Sequence, residues 1–210
     1  MKSFAHLVLI TAAIHSAAIE FVQAAPPTAL PRDSVYQLDA ALQDQAGRTQ
    51  RWSANRGEVR IVTMFYSSCP HACPLIVETI KSVELALTPS ERKQLHVDMV
   101  SFDPERDTPA RLTAMAAQRG VDDPRWHLYR AESADALQLG ALLGVRYRKL
   151  ADGEFNHSSV LILLDAEGRI LARSTQLGSA DAKFVGVVRK TLSSQGRVGI
   201  VLLKSDSSHP

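Results

Sequence analysis

Cys69 and Cys73 are the only cysteines among 210 residues, and they lie four apart in Phe65-Tyr66-Ser67-Ser68-Cys69-Pro70-His71-Ala72-Cys73-Pro74. Upstream, residues 58–66 (EVRIVTMFY) are β-branched and aromatic with little alternation after Ile61, the pattern of a strand buried on both faces. Downstream, Ile76, Ile80, Val83 and Leu87 recur at helical spacing. The pair therefore falls at a strand-to-helix junction. There the helix start offers unpaired N–H groups and the positive end of its dipole, and both favour thiolate over thiol. Pro70 and Pro74 lack donors and fit a helix start. A spacing of four sets both sulfurs on one side of the first turn. They can close a disulfide or pinch one ion between them. Two buried cysteines acting as small hydrophobes is the plainer alternative, but a structural disulfide closing so short a loop would stabilise little.

Two thiolates leave a metal under-coordinated, so a third donor is sought among seven histidines. His6 and His15 lie in the N-terminal apolar stretch, and His209 lies in the tail. His96 and His127 fall in strand-like segments and read as packing or surface residues. His71, between the cysteines, is expected to face solvent. His157 differs, because it sits in 154–159 (EFNHSS) just ahead of a strand at 160–165. In a thioredoxin-like sheet that strand runs beside the cysteine-bearing one, and the loop before it lies over the motif. His157 is thus a candidate third ligand, with His71 left open as another. Asp103, in 103–107 (DPERD), follows a second central strand and is expected beside the site or as a transient ligand, with Arg106 pairing to Asp103 or Asp107. Asp107 or Thr108 as a helix N-cap accounts for part of that segment without any function. Met64 and Met99 read as core, and the basic run 146–149 (RYRK) as a solvated face.

The elements that must position these groups follow from periodicity and turn chemistry. Residues 35–38 and 47–52 read as a hairpin turning at Gly47. Thr88-Pro89-Ser90-Glu91 is a capping box with proline at the first helical position. Strands are expected at 96–102 and 126–130, helices at 108–120, 133–144 and 181–192, and a hairpin at 160–165 and 169–174 about Gly168. Strands alternating with helices, closed by a hairpin and a helix, give an α/β chain with a thioredoxin-like fold: a central mixed β-sheet flanked by helices, with an N-terminal hairpin. Residues 193–210 are less patterned; 193–196 (SSQG) break the period, 198–203 (VGIVLL) read as an added edge strand, and 205–210 as a disordered tail.

Composition bounds the rest. A hydrophobic fraction of 45% and a charged fraction of 22% suit a folded protein, and a net charge of +2 gives no reason to expect nucleic-acid binding. Residues 1–24 carry one lysine, an apolar stretch, and Val22 and Ala24 at −3 and −1 of a cut. They read as a secretory signal peptide, with an uncleaved anchor as the alternative. The expected division is then 1–24 signal, 25–33 extended leader, 34–192 thioredoxin-like domain and 193–210 C-terminal extension. Export places the cysteines in an oxidising compartment. The expected location is the periplasm, soluble or held at the inner membrane by the leader alone, as a monomer.

Three segments together resemble the Sco/SenC family: Cys69-Pro70-x-x-Cys73-Pro74, then 103–109 (DPERDTP), then Asn156-His157-Ser158 leading into the Asp165-x-x-Gly168 hairpin. The resemblance runs from about residue 34 to residue 192. It implies a thioredoxin fold that binds copper through Cys69, Cys73 and His157, with Asp103 matching an acidic residue near the site. It also implies a metallochaperone without turnover of its own, whose partners are a copper donor protein and the copper-site subunit of cytochrome c oxidase. Ligand chemistry agrees, since soft thiolates select Cu(I) and imidazole suits either copper state; zinc prefers four ligands. His71 departs from the family, which often has a small or acidic residue there. A second imidazole could raise affinity, offer an entry point or be inert. The competing function is a thiol–disulfide oxidoreductase or redox sensor using the same pair. Thioredoxin-type reductants use Cys-x-x-Cys facing a cis-proline, whereas this chain has one residue more and no proline in 156–160.

Overall fold

The computed structural model describes residues 29–69 and 72–205, without the side chains of 72, 73 and 196–205. Residues 1–28, which hold the expected signal segment and most of the expected leader, together with Pro70, His71 and 206–210, lie outside the described residues. The central sheet has seven strands in the order β2-β1-β5-β4-β3-β8-β9. Inside the sheet, β3 (Val59–Phe65) is flanked by β4 (Leu95–Ser101) in parallel and by β8 (Leu161–Leu164) antiparallel. All seven β3 residues are buried, as expected of a strand covered on both faces. β5 (Trp126–Ala131) runs parallel to β4, and β9 (Ile170–Ser174) closes the other edge against β8. The sheet is mixed, with crossover helices between its parallel strands and a hairpin added at each edge.

The helices begin where the sequence places their caps. α1 (Ala72–Leu85) follows β3, and Ile76, Ile80 and Val83 line its buried stripe. α2 (Pro89–Gln94) opens on the full Thr88–Glu91 capping box. α3 (Pro109–Arg119) opens on Thr108, whose hydroxyl accepts the Arg111 N–H, and ends at Gly120 in the left-handed region. α4 (Ser133–Leu143) likewise ends at Gly144. Each Thr cap is worth about 1 kcal/mol. Met64 and Met99 are core residues, both essentially buried.

Three expectations are corrected. Residues 35–38 form no strand: Val35–Gln37 is a 3-10 turn, and the hairpin is β1 (Ala41–Asp44) with β2 (Thr49–Arg51). The reason is local. The Ser34 hydroxyl accepts the Tyr36 N–H, and Val35 and Tyr36 are both buried, which no alternating strand permits. Gly47 does occupy the turn, with φ +80°. Next, no edge strand forms at 198–203, because α5 (Ala182–Ser205) runs straight through 193–196. Extending an existing helix is favourable, and one Gly costs only about 1 kcal/mol. Finally, His157 lies in a strand, not a loop. β6 (Tyr147–Lys149) and β7 (Phe155–His157) form a separate two-stranded sheet, with Tyr147 opposite His157.

The hairpin at 165–169 is tied to the N-terminal segment. Gly168 has φ +79°, and a Cβ there would lie 2.5 Å from the Tyr36 ring. The Gly168 carbonyl accepts the Val35 N–H at 2.9 Å, and the Ser34 hydroxyl donates to the Glu167 carbonyl at 2.6 Å.

At the amino end of the central strands sits a polar cluster of Arg60, Asp98, His96 and His127. The two imidazoles stack at 6.1 Å, and half-burial lowers the pKa of both, that of His127 to about 4. Arg60 lowers both further, while Glu58 pulls the other way. A base with a lowered folded-state pKa takes its proton more readily when unfolded, so its contribution to stability is lost as pH falls below about 6.5. Asp98 opposes this, since burial raises its pKa to about 6 and protonation below that favours the folded state. The His127→Gln variant separates the two. Its stability deficit relative to wild type, read by urea unfolding, should shrink between pH 7 and pH 4.5. A deficit constant over that window would contradict the burial effect.

Candidate metal centre

The loop after β3 begins with Tyr66, whose carbonyl accepts the Cys69 N–H at 3.3 Å. Cys69 is 7% exposed and precedes α1, whereas Cys73 lies within that helix. The pair therefore straddles the change from loop to helix, with Cys69 in non-helical backbone and Cys73 in α1. The reason is the tight turn from Tyr66 to Cys69, which holds the first cysteine in non-helical backbone.

Asp107 anchors this loop. Its buried carboxylate accepts the Ser67 N–H at 3.0 Å, the Ser67 hydroxyl, and the Ser101 hydroxyl at 2.5 Å. Ser101 ends β4, so one carboxylate joins the ends of both central strands. Arg111 adds a bond from Nε to the Ser67 hydroxyl at 3.1 Å. Thr108, not Asp107, is the N-cap of α3.

Asp103 is 2% exposed, its N–H donates to the Ser101 hydroxyl at 3.0 Å, and its carboxylate accepts from Arg106 Nε. Arg106 turns from there towards the β6–β7 hairpin. It donates to the Gly153 carbonyl at 2.8 Å, lies 3.5 Å from Glu154 and covers the rings of Tyr66 and Phe155 at 5.8 and 5.7 Å. Asp103 thus holds the arginine that clasps the hairpin.

That hairpin delivers His157. Its ring meets Tyr66 edge-on at 5.6 Å and Phe102 at 5.2 Å, while Tyr147 stacks on Phe102 at 4.5 Å. Alternation explains the choice of face: Tyr147, Phe155 and His157 point inward, and Arg146, Arg148 and Asn156 point out. Nδ1 of His157 lies 3.3 Å from the Ser158 carbonyl. A proton on Nδ1 satisfies that contact and leaves Nε2 with its lone pair, the tautomer a metal ligand needs.

Tyr66 is the link between the two halves. Its hydroxyl bonds the Glu154 carboxylate at 2.9 Å, and the Cys69 side chain bonds the same group. Burial, Glu154 and Cys69 all push the phenol's pKa up, so it stays protonated. The fold thus brings Cys69, Tyr66 and His157 together at one end of the sheet, with Asp103 one layer back behind Arg106. Among the described residues no three His, Cys, Asp or Glu side chains form a metal-holding group; the Cys73 side chain lies outside them. A buried sulfur and an imidazole with a lone pair, adjoining one phenol, are donors that fit a soft monovalent ion. Tyr66, Glu154 and Asp107 were not foreseen as parts of the site. The basic run splits: Lys149 pairs with Glu105 at 2.9 Å, while Arg146 and Arg148 are exposed.

The SCO1/SenC family model matches residues 33–192. The chain belongs to the SCO1/SenC family. A SCO1 protein homolog from Bacillus subtilis is 24% identical over 132 residues, which are 61% of this chain and 68% of that protein. Among solved structures, Bradyrhizobium japonicum ScoI with copper bound superposes with a TM-score of 0.61 at 22% identity, over 72% of this chain and 96% of that one. BsSco, described as a member of the Sco family of cytochrome c oxidase assembly proteins with a disulfide switch, gives 0.61 at 18% identity, over 73% and 91%. These likenesses establish the Sco thioredoxin-like fold expected from the sequence.

Proposed function

We propose that this SCO1/SenC protein binds one copper ion through Cys69, Cys73 and His157 and carries it to the dinuclear copper site of cytochrome c oxidase. The observation that carries the reading is the edge-on contact of His157 with Tyr66, the residue whose hydroxyl bonds Cys69. It sets an imidazole against the cysteine loop from 88 positions downstream in sequence. Copper is cargo here. Two thiolates and one neutral imidazole suit Cu(I), and a three-coordinate ion leaves room for an acceptor's ligand to begin the exchange. Cu(II) would draw on water or another oxygen donor. Asp103 is committed to Arg106, so in this reading it supports the site without ligating. Copper-bound ScoI shares the fold and is consistent with this assignment.

Thiol reduction by the same pair is the second reading, favoured by the position of the cysteines at a strand end and helix start and by the disulfide switch described for BsSco. The two roles share a requirement, because the cysteines must be reduced before they take Cu(I). In this reading the protein works outside the cytoplasm, with 1–24 as signal or anchor and 34–192 as the working domain. Among the described residues no helix is long and apolar enough to cross a membrane.

Replacing His157 with alanine tests the reading. Affinity should fall by more than about tenfold, the least that losing even a supporting partner of a metal ligand costs, and more for Cu(II) than for Cu(I). The Cys69–Cys73 disulfide should still form. Unchanged copper affinity would remove His157 from the ligand set.

A further inference from the structure

We propose that Tyr66 is the positioning residue that sets the Cys69 sulfur and the His157 imidazole in register, with Glu154 as its counterpart on the hairpin. This rests on the reading of Cys69, Cys73 and His157 as copper ligands. Tyr66 is buried at the end of β3 and makes contacts on every side. Its carbonyl holds the Cys69 N–H, and its ring packs on Phe102 at 5.4 Å, on Phe155 at 5.1 Å and on the edge of His157 at 5.6 Å. Its hydroxyl reaches both the Cys69 side chain and Glu154. Glu154 lies three residues before His157, just ahead of β7, so the 2.9 Å bond pins the imidazole-bearing strand to the cysteine loop. Arg106 covers the Tyr66 ring from outside and reaches Glu154 from a second direction at 3.5 Å.

A phenol has one proton to give. It cannot donate to Glu154 and to sulfur at once. A metal-bound sulfur is an acceptor without a proton of its own, and this hydroxyl is placed to donate to it, while Glu154 keeps Arg106 as its partner. Donation to a charged sulfur steadies it in the geometry that faces His157. The aromatic packing keeps the phenol from following the sulfur, so Tyr66 is the fixed point against which both ligands are set.

The test uses the full chain with Tyr66→Phe, Glu154→Gln and Glu154→Ala. Cu(I) affinity is read by competition with bicinchoninate, and the sulfur-to-Cu(II) charge-transfer band reports ligand geometry. The midpoint potential of the Cys69–Cys73 couple is measured without metal. Tyr66→Phe retains the ring and should bind Cu(I) about tenfold more weakly, the scale of one hydrogen bond to a charged group, with a displaced band. Its metal-free potential should fall by about 30 mV, the equivalent of a tenfold change for a two-electron couple. Glu154→Ala, which unpins the hairpin but frees the phenol's proton for sulfur, should weaken Cu(I) binding without lowering the metal-free potential, while Glu154→Gln, which retains an acceptor on the hairpin, should stay close to wild type. A Tyr66→Phe protein identical to wild type in affinity, band and potential overturns the proposal. If wild type binds no copper, the ligand reading fails by itself. The potential then decides the positioning role, a fall supporting it and no change overturning it.

Discussion

Cys69→Ser should abolish stoichiometric Cu(I) binding while leaving the fold intact. A serine hydroxyl is hard and keeps its proton at neutral pH, so it supplies neither the softness nor the charge of a thiolate. What remains is one thiolate and one imidazole. The loss in affinity should exceed about 100-fold, beyond what removal of a supporting hydrogen bond does. Stability should change little, because the loop is held by Asp107, Ser67 and Ser101, and the smaller oxygen can still bond the Tyr66 hydroxyl. Cys73→Ser should behave in the same way. The check is Cu(I) titration against a competing chelator alongside a thermal melt. Retention of one tightly bound Cu(I) by either variant would contradict the assignment.

The largest effect on folding should come from the other end of the central strands. Asp98 is 1% exposed and Arg60 5%. The Asp98 carboxylate accepts from Arg60 Nη1 at 2.7 Å and from Asn55 Nδ2 at 3.1 Å. Arg60 Nε donates to the Asn55 carbonyl at 3.0 Å, and the Asn55 side-chain oxygen accepts from Gln50 at 2.8 Å and from Tyr129 at 3.3 Å. This network fastens the N-terminal segment to β3 and β4. Asp98→Ala strands the Arg60 guanidinium with only Glu58, which is 45% exposed, as its carboxylate. Breaking one partner out of a buried ion pair costs about 3–5 kcal/mol. Equilibrium urea unfolding at pH 7 should show that loss. A loss below about 1 kcal/mol would mean that the pair does not hold its charges in the core. Because Arg60 lies at the start of β3 and Cys69 beyond its end, whatever fraction stays folded should bind Cu(I) as wild type does.

The two ends of β3 differ in how plainly the sequence announces them. The strand itself, its helix and the two cysteines are legible because each rests on local pattern: a β-branched run, a repeat of 3.6, and prolines that suit a helix start. The Thr88 and Thr108 caps are legible for the same reason. His157 could be singled out from its place ahead of β8, but its strand could not. β6 and β7 have three residues each, and their inward Tyr147, Phe155 and His157 alternate with arginine and asparagine, which reads as a polar loop. Tyr66 and Glu154 meet across 88 positions, and Asp107 and Ser67 across 40. No local signal connects such partners, and only the assembled sheet brings them together. Arg60 and Asp98 did leave a trace, as charges inside otherwise apolar strands. The continuation of α5 is not legible because Ser193, Ser194 and Gly196 are weak helix formers and no apolar residue in 193–196 carries the helical period onward.

X-ray absorption at the copper edge, on the Cu(I)-loaded full chain beside its His157→Ala variant, tests the central claim most directly. The wild-type spectrum should require two sulfur donors and one imidazole nitrogen, and the variant should lose the nitrogen and keep both sulfurs. A wild-type shell made of sulfur alone, or one that the His157 substitution leaves unchanged, would contradict the account.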